Sequence, residues 1–307
     1  MNEITGPSAN EFAVVAGHAS SSKSPPISTH SFPNSAKRAS LGMRSCRMIP
    51  LRDRTTWLHG DLFSCLQPAM GGVRQWRLIL LGAPGVGKGT QARLLSEALG
   101  ACPLSMAEIF RGQLERSHNL TMERVRESMD RGLLLADDYV LTLMRERRTC
   151  LRCQVGFLLD GFPRTLVQAA SLDALLAAEH VQLDAVIHYD LPFPELIVRM
   201  SGRRVCPRCH AAFHLEMRRP RSAGICDHCG ASLVHLADDH ADAIDSRLTA
   251  YIEATEQVLV HYHRQGLVIS VSAGDDPNSV FARTLSFLEE RGFSLTETSR
   301  SKPVPAA

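Results

Sequence analysis

A glycine-rich turn with one lysine is the segment of this sequence best suited to chemistry. It runs from Gly82 to Thr90 and follows an apolar run from Arg77 to Leu81. Glycines allow backbone N–H groups to turn inward around phosphate oxygens, and the N-terminus of a following helix adds partial positive charge. Lys88 can then reach the terminal phosphates. A strand, a glycine loop and a helix in this order predict a site for a nucleoside triphosphate.

An acid and an arginine follow a second apolar run, Gly156 to Leu159. Carboxyl ends of parallel strands meet at one edge of a sheet, so Asp160 and Arg164 are expected beside the glycine-rich loop. The planar guanidinium of Arg164 can clamp a phosphate, and Asp160 can hold Mg²⁺ through water. The alternative interpretation is a turn that carries a surface arginine.

Two Cys-x-x-Cys pairs occur late in the chain, at Cys206 and Cys209 and at Cys226 and Cys229, with sixteen residues between them. This spacing predicts a tetrahedral four-cysteine Zn²⁺ site with a structural role. Bound zinc contributes about 10–16 kcal/mol to the folding of small modules. The alternative is four unconnected thiols. A third pair, Cys150-x-x-Cys153, has no partner pair nearby and is interpreted as spare thiols.

Together these motifs resemble those of the adenylate kinase family. The loop has the form Gly-x-Pro-Gly-x-Gly-Lys-Gly-Thr, in which Gly89 stands where most such loops have Ser or Thr, and Asp160 opens Asp-Gly-Phe-Pro-Arg. The resemblance covers roughly residues 75–291 and includes the long, zinc-binding form of the lid. It implies a phosphotransferase that uses Mg²⁺ and ATP to convert AMP into ADP.

The resemblance also implies a role for each matching residue. ATP would contact Gly85, Val86, Gly87, Lys88, Gly89, Thr90, Arg199 and Arg203. AMP would contact Arg111, Gly161, Phe162, Pro163, Arg164, Gln168 and Arg247, with Gln168 reading the base. The catalytic cations would be Lys88, Arg164, Arg203 and Arg247, and Asp238 and Asp239 would orient the lid arginines.

Two departures from the family pattern fall on the acceptor side. Met106-Ala107-Glu108 stands where the family has Thr-Gly-Asp, and Leu236 stands where it has an arginine. A charge-assisted hydrogen bond contributes about 1.5–3 kcal/mol, so the loss at Leu236 could slow turnover by one to two powers of ten. A relative with another acceptor, or a weakened nucleotide-binding regulatory protein, therefore stays open beside the main interpretation.

Further strand-like runs at residues 185–189 and 267–271 are separated by helical stretches, for example at residues 166–179 and 242–264. This alternation of strands and helices predicts the fold class. The expected fold is an α/β protein with a parallel sheet of the P-loop NTPase type, flanked by helices. A helical acceptor-binding insertion is expected at about residues 105–135 and the zinc lid at about 202–240, within a domain at 75–291. Residues 1–74 are rich in Ser, Pro and Arg and are expected to be a disordered basic extension, and 292–307 a disordered tail.

Composition excludes several classes of function. The net charge of +2 is too small to indicate a nucleic-acid partner, and a 44% hydrophobic content without long apolar runs excludes a membrane span. Nine cysteines, an odd number, argue against a secreted disulfide framework. We therefore expect a monomer in the cytoplasm, or in an organelle if the basic extension is a transit peptide.

Overall fold

The computed structural model of the chain describes residues 57–58, 75–117, 119–209 and 211–293. The predicted disorder of the extension and of the tail concerns residues outside these ranges, apart from 57–58 and 292–293. Within the described ranges, no helix is both long enough and apolar enough to cross a lipid bilayer.

A parallel sheet forms the centre of the fold. The strands are β1 (Trp76–Leu81), β2 (Cys102–Ser105), β3 (Gly156–Asp160), β4 (Ala185–Asp190), β5 (Arg203–Val205), β6 (Ala212–His214) and β7 (Val268–Ser272). The strand order of the central sheet is β2-β3-β1-β4-β7, which confirms the predicted fold class. A separate antiparallel pair, β5 and β6, lies in the segment expected to form the lid.

Helices connect the strands of the sheet. They are α1 (Lys88–Leu99), α2 (Met106–Arg116), α3 (Leu120–Asp130), α4 (Asp137–Arg145), α5 (Arg148–Leu151), α6 (Leu166–Ala178), α7 (Phe193–Ser201), α8 (Ala241–Ala250), α9 (Glu256–Arg264) and α10 (Pro277–Glu290). A short 3₁₀ helix, Ala237–Asp239, precedes α8, and a π-helical turn, Tyr251–Thr255, separates α8 from α9. The single helical stretch expected from Asp242 to Arg264 is therefore interrupted by this turn.

Both faces of the sheet are buried, which explains the continuous apolar runs of its strands. Side chains alternate between the faces, so in β1 Leu78 and Leu80 enter one hydrophobic cluster while Ile79 and Leu81 enter the other. Helices α1, α7, α8 and α10 cover the first face, and α4, α6 and α9 cover the second. Because β1 and β3 pair in parallel, their carboxyl ends lie side by side at one edge of the sheet.

The segment expected to bind the acceptor contains α2 and α3. It begins at Ser105, the last residue of β2, which pairs in register with Asp160 of β3. The register therefore places the start of α2 beside the Asp-Gly-Phe-Pro-Arg segment.

Trp57 differs from the expectation for the N-terminal extension, because it is ordered and completely buried. Its indole Nε1 donates to the backbone oxygen of Ser105 at 3.0 Å. Arg147 Nε donates to the backbone oxygen of Trp57 at 2.6 Å, and Arg116 Nη2 donates to that of Leu58 at 2.9 Å. Trp57 thus packs in the same hydrophobic cluster as α4 and α6 and contacts the base of α2.

Candidate active site

The glycine-rich loop adopts a conformation that its glycines make accessible. Gly85 and Gly87 have φ angles of +83° and +108°, which side chains with a Cβ rarely adopt. Gly87 is the residue before α1, so the helix begins at Lys88 with its N-terminus toward the loop. Lys88 Nζ donates to the backbone oxygens of Gly82 at 2.7 Å and Ala83 at 3.0 Å. The loop therefore presents an ammonium group and a helix N-terminus together, as an anion site requires.

The Asp160 carboxylate lies against this loop. A Cβ placed on Gly89 would be 3.6 Å from Asp160 Oδ2, so glycine leaves space beside the carboxylate. Burial raises the pKa of Asp160, and the charges of Lys88 and Arg164 oppose that rise. An acid at this position can hold a divalent cation next to bound phosphates, as the sequence predicts.

Positive charge converges on Lys88 from separate parts of the chain. The pKa of Lys88 is lowered to about 8, chiefly by burial and further by the charges of Arg164, Arg247 and Arg203, while Asp160 opposes this change. These arginines come from the segment after β3, from α8 and from β5. Asp160, Asp238 and Asp239 offset only part of this positive charge, so the arrangement is suited to an anionic ligand.

Arg203 and Arg247, the two arginines that flank the lid, both contact the carboxylate of Asp239. Arg203 Nε and Nη2 donate to Asp239 Oδ2 and Oδ1, each at 2.6 Å. Arg247 Nη1 is 3.2 Å from Asp239 Oδ1 and 2.9 Å from Asp238 Oδ2. Asp239 is buried, and its contacts with the two arginines hold it in position. The paired acids therefore hold both arginines, in the orientation role that the resemblance implies.

The segment after β3 holds Arg164 and Gln168 close together. Arg164 Nε donates to the Gly161 oxygen at 3.2 Å, and the backbone N–H of Arg164 donates to Gln168 Oε1 at 2.8 Å. Burial lowers the pKa of Arg164, and Asp160 and Asp238 oppose this change. The Phe162–Pro163 peptide bond is cis.

The remaining predicted arginines have different environments. Arg199 Nη1 donates to the Val86 oxygen at 3.3 Å, and Nη2 to the Ala273 oxygen at 2.8 Å. It therefore links the glycine-rich loop to the segment after β7. Arg111 lies in α2 close enough that its charge lowers the pKa of Asp160. Arg199 thus contacts the glycine-rich loop, and Arg111 lies on the Asp160 side of the site.

The four predicted metal ligands lie together. The Sγ atoms of Cys206, Cys209, Cys226 and Cys229 are all within 4.8 Å of one another. The Cys206–Cys229 and Cys209–Cys226 pairs are separated by 3.4 and 3.5 Å. Tetrahedral zinc with Zn–S bonds of ~2.3 Å holds sulfur atoms ~3.8 Å apart, so this set can hold Zn²⁺. Cys150 and Cys153 are not part of the group.

Sequence reasoning missed Asp137 as a partner of Gln168, the residue to which the resemblance assigns the reading of the acceptor base. Asp137 Oδ1 accepts from Gln168 Nε2 at 2.8 Å and from Thr165 Oγ1 at 3.0 Å. The sequence offers two adjacent acids, Asp137 and Asp138, at the start of a helix, and that pattern alone does not indicate which one faces the site.

Comparisons with known proteins agree with this geometry. A family model described as adenylate kinase matches residues 80–267, more than half of the chain. An adenylate kinase of Clostridium acetobutylicum is 38% identical over 214 residues, which is 70% of this chain and 99% of the relative. The chain belongs to the adenylate kinase family. The adenylate kinase of Caldicellulosiruptor saccharolyticus is 40% identical over 194 residues, 63% of this chain and 90% of the relative. That of Carboxydothermus hydrogenoformans is 37% identical over 214 residues, 70% of this chain and 100% of the relative.

The adenylate kinase match includes the converging cations and the four cysteines, since all lie within residues 80–267. Residues 57–58 lie outside it.

The two departures from the family pattern, at Met106 and Leu236, lie in different parts of the site. Met106 is buried, 4.0 Å from where a Cβ on Gly161 would be, and Leu236 directly precedes the 3₁₀ helix that carries Asp238 and Asp239.

Proposed function

We propose that this protein transfers the γ-phosphate of ATP to AMP and so forms two molecules of ADP. The observation that carries this proposal is the convergence of Arg164, Arg203 and Arg247 on Lys88, with Asp160 beside them. Membership of the adenylate kinase family makes the protein a phosphotransferase. The acceptor and the role of each residue are parts of the proposal.

On the donor side, the triphosphate would lie on the turn after β1. Backbone N–H groups of residues 85–90 and the N-terminus of α1 would surround its oxygens, and Lys88 would neutralise the terminal phosphates. The hydrogen bonds from Lys88 to Gly82 and Ala83 hold the ammonium at the loop before any phosphate arrives. Arg199, which is bonded to the loop at Val86, would support the nucleotide from the α7 side.

On the acceptor side, Arg111 and Arg164 would bind the monophosphate and Gln168 would contact the base. Arg164 is near both Asp160 and Asp238, so it can lie between donor and acceptor phosphates. A guanidinium fork at that position would hold the two phosphates in line, which phosphoryl transfer requires.

Transfer itself needs positioning and charge more than covalent chemistry. Arg203 and Arg247 lie at the two ends of the lid, and Asp239 holds them in a defined arrangement. When the lid closes, they would neutralise charge on the transferring group and exclude the water that would otherwise consume ATP. Mg²⁺, when bound near Asp160, would supply further neutralisation of the β and γ phosphates.

We further propose that the four-cysteine group binds structural Zn²⁺. The lid cluster contains few apolar side chains, chiefly Phe213 with Cys206 and Cys226. A module with so small an apolar core needs an additional source of stability, and metal binding can provide it. All four ligands are cysteines, so no position is left for catalysis by the metal.

The proposal also covers the cell compartment, the oligomeric state and the partners of the protein. Thiol ligands remain available in a reducing compartment, so we infer that the protein acts in the cytoplasm. We also infer a monomer, because Lys88, Arg164, Arg203 and Arg247 converge within a single chain without a residue from a second subunit. Neither nucleic acid nor a membrane has a role in this account.

An acceptor panel tests the proposal. Purified full-length protein would be given Mg²⁺–ATP with AMP, GMP, CMP or UMP in turn, and ADP formation followed by a coupled assay. AMP should be the preferred acceptor, although Leu236 predicts a lower turnover than an arginine there would allow. ATP binding without phosphorylation of any monophosphate would contradict the proposal.

A further inference from the structure

A hydrogen-bond network around Gln168 carries an inference that rests on the proposed function. The side chain is 3% exposed. Its Nε2 donates to Asp137 Oδ1 at 2.8 Å, and its Oε1 accepts from the backbone N–H of Arg164 at 2.8 Å. Both ends of the amide therefore have a partner supplied by the protein.

Asp137 is itself fixed between two helices. It is the first residue of α4, and its Oδ1 also accepts from Thr165 Oγ1 at 3.0 Å. Thr165 precedes α6, and its hydroxyl accepts from the backbone N–H of Gln168 at 3.2 Å. The carboxylate thus lies near two helix N-termini, where their partial positive charge favours an anion.

These partners permit one orientation of the Gln168 amide. A carboxylate can accept hydrogen bonds but not donate them, and a backbone N–H can donate but not accept. Turning the amide by 180° would place Oε1 against the Asp137 carboxylate and Nε2 against the Arg164 N–H. Both hydrogen bonds would be replaced by contacts between like groups, so the turned orientation is strongly disfavoured.

The fixed amide keeps one free position on each atom, a second hydrogen on Nε2 and a second lone pair on Oε1. A base edge complements this pair when an amino group lies beside an unprotonated ring nitrogen, as in adenine. A 6-oxopurine has a carbonyl oxygen in place of the amino group and a ring N–H in place of the unprotonated nitrogen. The carbonyl oxygen would face Gln168 Oε1 and the ring N–H would face Gln168 Nε2, so neither hydrogen bond could form. We propose that Asp137 is a positioning residue that makes the acceptor site select 6-aminopurine over 6-oxopurine monophosphates, through the orientation of Gln168.

A comparison of AMP with IMP tests this proposal, because the two differ only in that edge of the base. The ratio of kcat/KM for AMP to kcat/KM for IMP would be measured for the wild type and for Asp137→Asn. Asparagine has nearly the same shape, but its amide can both donate and accept, so position 137 no longer disfavours the turned Gln168 amide. Only the Arg164 N–H then still favours one orientation, and the charge-assisted part of the preference is lost. The ratio should fall about tenfold or more, with part of the change arising from faster use of IMP.

Two further variants complete the experiment. Asp138→Asn changes the exposed neighbouring acid, which accepts from the backbone N–H of Tyr139, and its ratio should equal that of the wild type. Asp137→Ser retains a residue favourable at a helix N-terminus and offers a hydroxyl that donates or accepts. It should lower the ratio as Asp137→Asn does, and it replaces that variant if the asparagine protein does not fold.

The outcomes separate this inference from the proposed function. A purely structural role for Asp137 would slow both acceptors equally, so an unchanged ratio in the Asp137 variants overturns the inference even if activity falls. If the wild type phosphorylates neither AMP nor IMP, the proposed function fails first, and the inference fails with it.

Discussion

Arg203 and Asp239 form a bidentate ion pair, with both donor–acceptor distances at 2.6 Å. Asp239 is also 3.2 Å from Arg247, so one buried carboxylate connects the strand that enters the lid to the helix that follows it. Preorganised cations contribute more to a transition state than cations that must be ordered during the reaction. We therefore expect the ion pair to raise the rate of phosphoryl transfer by holding Arg203 and Arg247 in position.

Replacing Asp239 with asparagine should lower kcat by about ten- to a hundredfold. The change removes the charge that holds two arginines, and a hydrogen bond to a charged group contributes about 1.5–3 kcal/mol. Steady-state kinetics would measure kcat, and equilibrium titration would measure the affinity for ATP, which should change less. Asp245→Asn alters an exposed acid of α8, the helix that carries Arg247, and should retain wild-type turnover. Equal kcat values for all three proteins would contradict the orienting role.

The affinity for ATP should decrease as the pH rises above about 8. Burial and neighbouring arginines lower the pKa of Lys88 to about 8 in the ligand-free protein. Bound phosphates favour the charged ammonium, so the pKa of Lys88 is higher in the complex. Between these two pKa values the dissociation constant should increase by up to about tenfold per pH unit, and below them Lys88 contributes no pH dependence.

Titrations of ATP at pH 7, 8 and 9, with constant free Mg²⁺, measure this dependence. Lys88→Arg is the matched control, because a guanidinium stays protonated throughout the range. Its affinity should not vary with pH in this window, whatever its absolute value. The same slope in both proteins would show that Lys88 is not the titrating group.

Loss of one cysteine ligand should remove zinc from the protein. Cys209→Ser leaves three thiols in the group, whereas Cys153→Ser changes a thiol outside it. Metal content measured by mass spectrometry should be close to one zinc per chain in the wild type and in Cys153→Ser, and far below one in Cys209→Ser. The lid of Cys209→Ser should also become more susceptible to proteolysis, since metal binding stabilises small modules. A zinc-free wild type purified without chelators would contradict the assignment.

Trp57→Ala should lower the free energy of unfolding by about 3–5 kcal/mol, as expected for truncation of a fully buried tryptophan. Urea denaturation of the full-length protein would measure the change. Leu120→Ala, at a side chain that is 75% exposed, should have an effect within about 0.5 kcal/mol. If the two variants are equally stable, Trp57 does not pack against the domain in solution.

The sequence predicted the parts of the fold that have strong local patterns. Apolar runs marked β1, β3, β4 and β7, and the glycine-rich loop and the paired cysteines indicated the two ligand sites. Local patterns did not reveal β2, because Cys102–Ser105 is a short edge strand that contains Pro103. Edge strands tolerate proline, so the residue that disfavours a strand in sequence is compatible with one here.

Features that depend on long-range contacts were not predictable. Trp57 lies in a segment rich in Ser, Pro and Arg, and its partners Ser105 and Arg147 are 48 and 90 residues away. Asp137 contacts Gln168 across 31 residues, and an identical acid follows it in the sequence. Each contact depends on how helices pack against the sheet, which residue types and spacing do not determine.

The central claim is that Lys88 and the arginines around it bind the triphosphate of ATP and support the transfer of its γ-phosphate. The most direct test is the initial rate of ADP formation from ATP and AMP by Lys88→Ala, compared with the wild type at the same protein concentration. The account predicts that the rate falls by about a thousandfold or more, since both charge and position are lost at the transferring phosphate. A rate equal to that of the wild type would contradict it.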